Sequence, residues 1–204
     1  ALSAQRLELW EQALDYAERC SRLERNVVTL GTAALSAQKL ELWGKALSYA
    51  RQYLELKKDI IMLGIAALSA QKLELWEEAL NYAKQCLELE RNITILGIAA
   101  LSAQRLGLWE EVLGYARQYL ELGKDVAILG IAALSAQRLG LWEEALGYAE
   151  QYMELKIDST GLGMAMLAAR KLKLGDKALS YKERYSRLQE GIPAGPSRDE
   201  VIFQ

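Results

Sequence analysis

The chain has 204 residues, of which 51% are hydrophobic and 25% are charged, a composition typical of a folded globular protein. Twenty-five basic against twenty-seven acidic residues leave a net charge of −2, so the sequence offers no electrostatic attraction for nucleic acid or an anionic membrane. The longest apolar stretch, Ile60 through Ala70, is too short to span a membrane. The first residues lack the features of a secretion signal. We therefore expect an intracellular, cytoplasmic protein.

A repeat of 33 residues runs through the chain and dictates its architecture. Each copy opens on Ala-Leu-Ser-Ala-Gln, beginning at Ala1, Ala34, Ala67, Ala100 and Ala133, with a degenerate sixth copy at Met166. A tryptophan column follows at Trp10, Trp43, Trp76, Trp109 and Trp142, and a tyrosine column at Tyr16, Tyr49, Tyr82, Tyr115, Tyr148 and Tyr181. We expect both columns to pack in the core against the alanines.

Each unit predicts two helices, illustrated by residues 60–92. The first, helix A, places apolar residues at the three-and-four spacing of a buried stripe: Leu63, Ala66, Ala67, Ala70 and Leu73. The second, helix B, repeats that spacing with Trp76, Ala79, Leu80, Ala83 and Leu87. The short connections require antiparallel neighbours. The units are predicted near residues 1–26, 27–59, 60–92, 93–125, 126–158 and 159–190, followed by a non-helical tail at 191–204.

A finer pattern alternates between units. Two of them carry Cys20 or Cys86 where others carry a tyrosine such as Tyr53, which indicates that the array grew by copying pairs. Glu74 becomes Gly140 two units later, a change that indicates drift, because glycine weakens helices.

The two ends of the array differ. The sixth unit is predicted to be a polar cap, since Gly175 replaces the tryptophan and Lys182 interrupts an alanine column. The first unit is truncated and has no polar cap. This uncapped face leaves end-to-end self-association open.

The sequence shows no arrangement of residues that predicts metal, cofactor or catalytic chemistry. It has no histidine, so a cluster of Cys and His ligands for zinc cannot form. Stacking places Cys20 and Cys86 roughly 40 Å apart, far beyond the about 7 Å that a disulfide requires. We expect two free, slowly reacting thiols. Ser69 and its copies have no histidine to activate them, and no unit is distinguished as an active site. We therefore predict a non-enzyme without cofactors.

The unit resembles the tetratricopeptide repeat, TPR, over residues 1 to about 190. Leu63, Ala67, Trp76 and Ala79 match the family's large, small, aromatic and alanine positions, while Ala70 stands where the family has a tyrosine. The resemblance implies an all-α solenoid with a right-handed superhelix. It also implies protein-protein binding on a concave surface lined by helix A.

The candidate site lies on helix A, where a leucine, a glutamine and a cation recur in each unit. The cations would attract the carboxylates of an acidic or amphipathic peptide, and the leucines would grip its apolar side. The alternatives are that leucines such as Leu68 pack on neighbouring units, and that the glutamines are ordinary helix surface. The predicted site comprises Leu35, Gln38, Lys39, Leu68, Gln71, Lys72, Leu101, Gln104, Arg105, Leu134, Gln137 and Arg138.

Two functions remain open from the sequence. The first is a non-catalytic scaffold that binds a peptide or partner helix on the helix A face. The second is a structural protein that assembles end to end through its uncapped N-terminal face.

Overall fold

A computed structural model describes residues 2–23 and 26–190, with side chains described from residue 8 to 20 and from 26 onward. The described residues form helices joined by short turns, with no strand among them. The predicted tail at 191–204 lies outside the described residues. The helices are α1 (Leu2–Leu23), α2 (Val27–Lys39), α3 (Trp43–Leu56), α4 (Ile60–Lys72), α5 (Trp76–Leu89), α6 (Ile93–Arg105), α7 (Trp109–Leu122), α8 (Val126–Arg138), α9 (Trp142–Leu155), α10 (Ser159–Lys171) and α11 (Gly175–Gln189).

The helices alternate as the repeat predicts. Helices α2, α4, α6, α8 and α10 are A helices, and α3, α5, α7, α9 and α11 are B helices that begin at the tryptophan position. The chain divides into two compact units, residues 1–106 with α1–α6 and residues 107–204 with α7–α11. Helix α1 differs from this alternation, because it continues unbroken from Leu2 to Leu23 through the place where later repeats turn.

Each A helix begins at an Asn or Asp that caps it. The Asp59 carboxylate accepts the backbone N–H of Ile61 at 2.9 Å, and the Asn92 side chain accepts that of Thr94 at the same distance. Such caps satisfy donors that have no partner inside the helix, and each stabilises its helix by about 1 kcal/mol. The turn from helix B to the next helix A is therefore fixed by one residue.

The turn from helix A to helix B is a Schellman motif, with one residue in the left-handed region. Glu74 has φ 59°, its N–H donates to Gln71 O at 3.0 Å, and the N–H of Leu75 donates to Ala70 O at 2.9 Å. Gly140 occupies the same position with φ 75°. The expectation that this glycine weakens a helix is therefore wrong, because it lies in a turn that favours glycine.

The core of the described residues consists mainly of aliphatic and small side chains, with Tyr53, Tyr152 and Tyr181 as its buried aromatic rings. Leu63, Ala67 and Ala83 are fully or almost fully buried, as their positions in the pattern predict. Trp76 and its equivalents are only half-buried, and Leu73 is exposed, so their predicted core positions are wrong. Small side chains let two helices approach closely, which leaves bulky rings at the edge of the interface.

Ion pairs between residues 27 apart along the chain join α1 to α3 and join B helices to the next B helix. Lys45 pairs with Glu18, Arg51 with Glu78, Arg117 with Glu144, and Lys177 with Glu150. The first and last of these place the cation on the later helix, whereas the inner two place it on the earlier one. Each pair is partly exposed and contributes at most about 1 kcal/mol. Among the described helices, the acidic residues lie on α1 and the B helices, because the A helices contain no aspartate or glutamate.

Consecutive A helices lie close to each other within each compact unit. Within residues 1–106 the backbone of α4 lies close to those of α2 and α6, whereas the described part of α3 and α5 shows no close backbone approach and is joined through side chains such as Arg51 and Glu78. In the second unit α8 contacts α10. Neighbouring A helices therefore lie closer together than neighbouring B helices, and their outward side chains share one surface.

The left-handed turn gives a prediction in both directions. Replacing Glu74 by Gly should raise the free energy of unfolding by about 1 kcal/mol, because it relieves the strain of a side chain at positive φ. Replacing Gly140 by Glu should lower it by a similar amount. Urea denaturation of both variants measures the two changes. An unchanged or lower stability of Glu74→Gly would contradict the assigned turn.

Candidate functional site

The candidate residues lie on the A helices, in two classes of exposure. The leucine and glutamine of each set are half-buried and the cation is exposed, which holds for Leu35, Gln38, Lys39, Leu68, Gln71, Lys72, Leu101, Gln104, Arg105, Leu134, Gln137 and Arg138. Residues three and four apart on a helix share a face, so each set forms one short patch. The leucines thus reach the surface while still packing on their neighbours.

From α4 onward, the cation at the end of each A helix lies over the ring of the tryptophan 29 residues earlier in the chain. The Lys72 Nζ is 5.8 Å from the centre of the Trp43 ring, and the Arg105 guanidinium is 5.3 Å from that of Trp76. In the second unit Arg138 lies over Trp109 and Lys171 over Trp142, both at 5.5 Å. Such cation–π contacts contribute about 0.5–1 kcal/mol at exposed sites. The cations are therefore held in place between repeats while they remain open to solvent.

The tryptophan column thus has a role that the sequence analysis missed. The signal was present, because Trp43 and Lys72 stand 29 residues apart and the same spacing recurs in the next three repeats. By spacing alone, the tryptophans fit a buried stripe and the helix A cations fit an exposed surface, so their contact was not predicted.

The glutamines also bridge repeats in at least one place. The side-chain Nε2 of Gln137 donates to the backbone oxygen of Met164 on the next A helix, at 3.1 Å. One hydrogen-bond donor of the Gln137 side chain is therefore already paired within the array. This bridge between repeats is a third role at this position, different from the two predicted for the glutamine column, which were partner binding and ordinary helix surface.

An apolar groove opens on the surface formed by the A helices α2, α4 and α6, here called the A face, in the first compact unit, residues 1–106. It has a volume of about 380 Å³. Ile61, on its rim, is 62% exposed, while Ile65 is buried and Leu68 is half-buried. This apolar side of α4 is thus partly packed and partly exposed to solvent. The groove is lined by Gln38, Ile60, Ile61, Gly64, Ile65, Leu68, Cys86, Glu90, Asn92, Thr94, Ile95 and Ile98.

The side chain on helix B contributes to the opening at α4, but it does not decide it alone, because a Cβ added to Gly163 would meet nothing within 4 Å although Tyr185 occupies the equivalent helix B position. A Cβ added to Gly31 of α2 would lie 3.2 Å from the ring of Tyr53, so that ring fills the space beside the helix. At the equivalent Gly64 of α4, the helix B residue is Cys86, and an added Cβ would meet only Ile95 at 3.7 Å. The shorter cysteine therefore leaves unfilled space that becomes part of the groove.

The two cysteines have different environments. Burial raises the pKa of the Cys86 thiol, and the charge of Glu90 raises it further. This thiol stays protonated at neutral pH, and the expectation of slow reaction agrees with its environment. Cys20 is exposed, so its thiol is open to reagents and the expectation of slow reaction fails there.

The turn between α9 and α10 has a different set of charged and hydrogen-bonding groups from the groove. Burial opposes ionisation of Asp158, but hydrogen bonds from the Gly161 N–H, Lys156 and Tyr152 outweigh it and hold the pKa of Asp158 below its usual value. Burial and the hydrogen bond to Asp158 raise the pKa of Tyr152. This turn is therefore a filled, internally satisfied version of the position that Cys86 leaves open.

Neither a metal cluster nor a membrane span is found in the described part of the chain. No three acidic, cysteine or histidine side chains there come together in a way that could hold a metal ion. None of the described helices is long and apolar enough to cross a membrane.

The contact between cation and tryptophan can be measured by a double-mutant cycle. Lys72→Met and Trp43→Leu should show a coupling of about 0.5–1 kcal/mol in chemical denaturation, because each change alone removes the same contact. Lys57→Met, at an exposed turn lysine, is the control and should change stability by less than about 0.5 kcal/mol. Additive effects of the first two changes would show that the stacked geometry contributes nothing.

Comparison with known proteins identifies the fold. No protein-family model matches the sequence, and no curated protein matches it. Among solved structures, YrrB, described as a TPR protein with an unusual peptide-binding site, shares 16% identity with a TM-score of 0.74, covering 87% of this chain and 94% of that one. MamA AMB-1 shares 12% identity with a TM-score of 0.73, covering 87% and 97%. MamA MSR-1 shares 12% with a TM-score of 0.68, covering 80% and 97%. The chain thus has the fold of a TPR-like α-solenoid, an all-α array of tandem helix-turn-helix repeats.

Proposed function

We propose that this array is a non-catalytic scaffold that binds an acidic, partly apolar peptide on the A face of its first unit. The observation that carries the proposal is the separation of charge between the two kinds of helix. None of the five A helices contains an aspartate or glutamate, and each ends on a lysine or arginine. A partner at this face meets cations and apolar side chains without opposing carboxylates from these helices.

The stacked tryptophans support binding by restricting the cations. A free lysine or arginine side chain loses about 2 kcal/mol of conformational freedom when it is fixed against a partner. Lys72 and Arg105 already lie over Trp43 and Trp76, so part of that cost is met before the partner arrives. Each contact remains weak by itself, and a peptide that reaches several cations gains from their combination.

Two observations support a non-catalytic role. The serine that recurs in the A helices is completely buried, as at Ser69 and Ser102, where no substrate could reach its hydroxyl. The chain has no histidine to activate a nucleophile. YrrB, a TPR protein with a peptide-binding site on the same fold, agrees with a binding role.

End-to-end assembly receives less support. Continuing the array beyond the sixth repeat would place a cation over Gly175, which offers no ring. The exposed Lys182 and Glu183 on α11 would also have to be covered in such a joint. The scaffold therefore remains the function that the described surface favours.

Peptide selection tests this proposal. Peptides selected from a random display library against the whole chain should be enriched in aspartate, glutamate and apolar residues. Changing Lys39, Lys72 and Arg105 together to Glu should weaken binding of a selected, fluorescein-labelled peptide by about 30-fold or more, because three attractions become repulsions. The same three positions changed to Gln should give an intermediate loss. Fluorescence anisotropy measures each affinity.

The control changes the same amount of charge outside the A helices. Arg19 of α1, Lys84 of α5 and Lys182 of α11, all exposed, are changed together to Glu, and binding should weaken by less than about threefold. Equal losses in the two triple variants would mean that only net charge matters. That result, or a selection that yields no acidic peptides, would refute the proposed function.

A further inference from the structure

The groove beside Gly64 is the place of a missing aromatic ring. Tyr53 fills the equivalent space beside Gly31 in the preceding repeat, and Tyr152 fills it beside Gly130 in the second unit, where an added Cβ would lie 3.4 Å from its ring. Cys86 occupies that position on α5 and is shorter by the whole phenol ring. The glycine, the buried leucines Leu63 and Leu80 and the buried alanines of this repeat are the same as in the repeat with Tyr53, so the backbone around the gap has the form that accommodates a ring.

The residue that caps helix A changes together with the ring. The Tyr152 hydroxyl donates to Oδ2 of Asp158 at 2.9 Å, and Asp158 is the cap of α10. Repeats with Tyr53 or Tyr119 likewise have an aspartate cap, whereas those with Cys20 or Cys86 have Asn26 or Asn92, so tyrosine goes with aspartate and cysteine with asparagine.

This exchange alters the polar chemistry of the open position. The Oδ1 of Asn92 caps α6 by accepting the N–H groups of Thr94 and Ile95. The other group of its amide is a donor, whereas the second oxygen of Asp158 accepts the tyrosine hydroxyl. The open position therefore suits a ring whose oxygen accepts a hydrogen bond, or a plain phenyl ring that leaves the amide to water.

We propose that the gap beside Gly64 and Cys86 is an anchor pocket that takes one aromatic side chain, tyrosine or phenylalanine, of a bound acidic peptide. This inference rests on the proposed function and specifies its ligand. The exposed Ile61 and the buried Ile98 offer apolar surface at the walls, and the groove volume of about 380 Å³ lies within the range of ligand pockets. The partner's ring restores the packing that Tyr53 and Tyr152 provide within their own repeats.

The helix geometry also sets the spacing of the ligand's acidic residue. Gly64 and Lys72 are eight residues apart on α4, which corresponds to about 12 Å along the helix axis. An extended peptide covers that distance with roughly four residues. The proposed ligand therefore carries a carboxylate three or four positions from its aromatic anchor.

The test uses p-cresol, the side chain of tyrosine, as a probe of the whole chain. Cys86→Tyr fills the gap with the ring that the sibling repeats carry, and should reduce p-cresol binding and binding of the selected acidic peptide by about tenfold or more while the melting temperature is kept or raised. Cys20→Tyr makes the same change at an exposed position of the same column and should leave both affinities unchanged. Calorimetry and anisotropy provide the affinities.

A second measurement does not depend on the folding of Cys86→Tyr. In a Cys20→Ser background, saturating p-cresol should slow modification of Cys86 by a thiol reagent, since the probe covers the thiol. Tyr53→Cys should open a second pocket and raise the number of p-cresol molecules bound. Unprotected Cys86, or unchanged stoichiometry in Tyr53→Cys, would overturn the pocket.

The outcomes separate this inference from the proposed function. If the selected acidic peptide binds, depends on the A-helix cations and is unaffected by Cys86→Tyr, the anchor pocket is wrong and the scaffold stands. If p-cresol binds beside Cys86 but the array selects no acidic peptide, the scaffold fails, and with it the assignment of the pocket to a peptide side chain.

Discussion

The close approach of helices through alanine is the constraint on which the rest of this structure depends. Ala66, Ala67 and Ala70 on one helix and Ala79 and Ala83 on the next are completely buried. With so little side-chain volume between the backbones, the helices can pack in few other ways, and larger residues must lie at the edges of the interface. The half-buried tryptophans, the exposed cations above them and the groove all lie at those edges.

The A helices and the B helices also differ in the charge of their exposed side chains. The A helices lie close together and carry apolar residues with a single terminal cation, whereas the B helices carry the acidic residues and pair them with cations of their neighbours, as Arg51 does with Glu78. A hydrogen bond from Arg51 to Glu78 raises the pKa of the guanidinium, which stays charged at any accessible pH. Several carboxylates of the B helices are therefore paired, and the A helices themselves bring no carboxylate beside their terminal cations, while Glu90 of the following turn lines the groove.

Most of the fold could be predicted from the sequence, because a fixed period and an alanine stripe act through local geometry. Helix α4 starts at Ile60 and α5 at Trp76, where the pattern places them. What the pattern could not give is depth of burial: Trp76 fits a buried stripe by spacing, yet it is half-exposed because Ala79 and Ala83 hold the backbones too close for it. The difference between Tyr53 and Cys86 was visible as a trace of duplication, but its effect depends on the distance to a glycine on another helix.

Isoleucine methyl NMR during a p-cresol titration is the most direct test of where this array recognises a ligand. Ile61 and Ile98 line the groove, and Ile131 lies beside Gly130, where Tyr152 fills the equivalent space. The methyl resonances of Ile61 and Ile98 should shift in a saturable way while that of Ile131 does not. A shift of Ile131 as large as that of Ile61 would show that the probe binds apolar surface in general, and would contradict recognition at a single unfilled position.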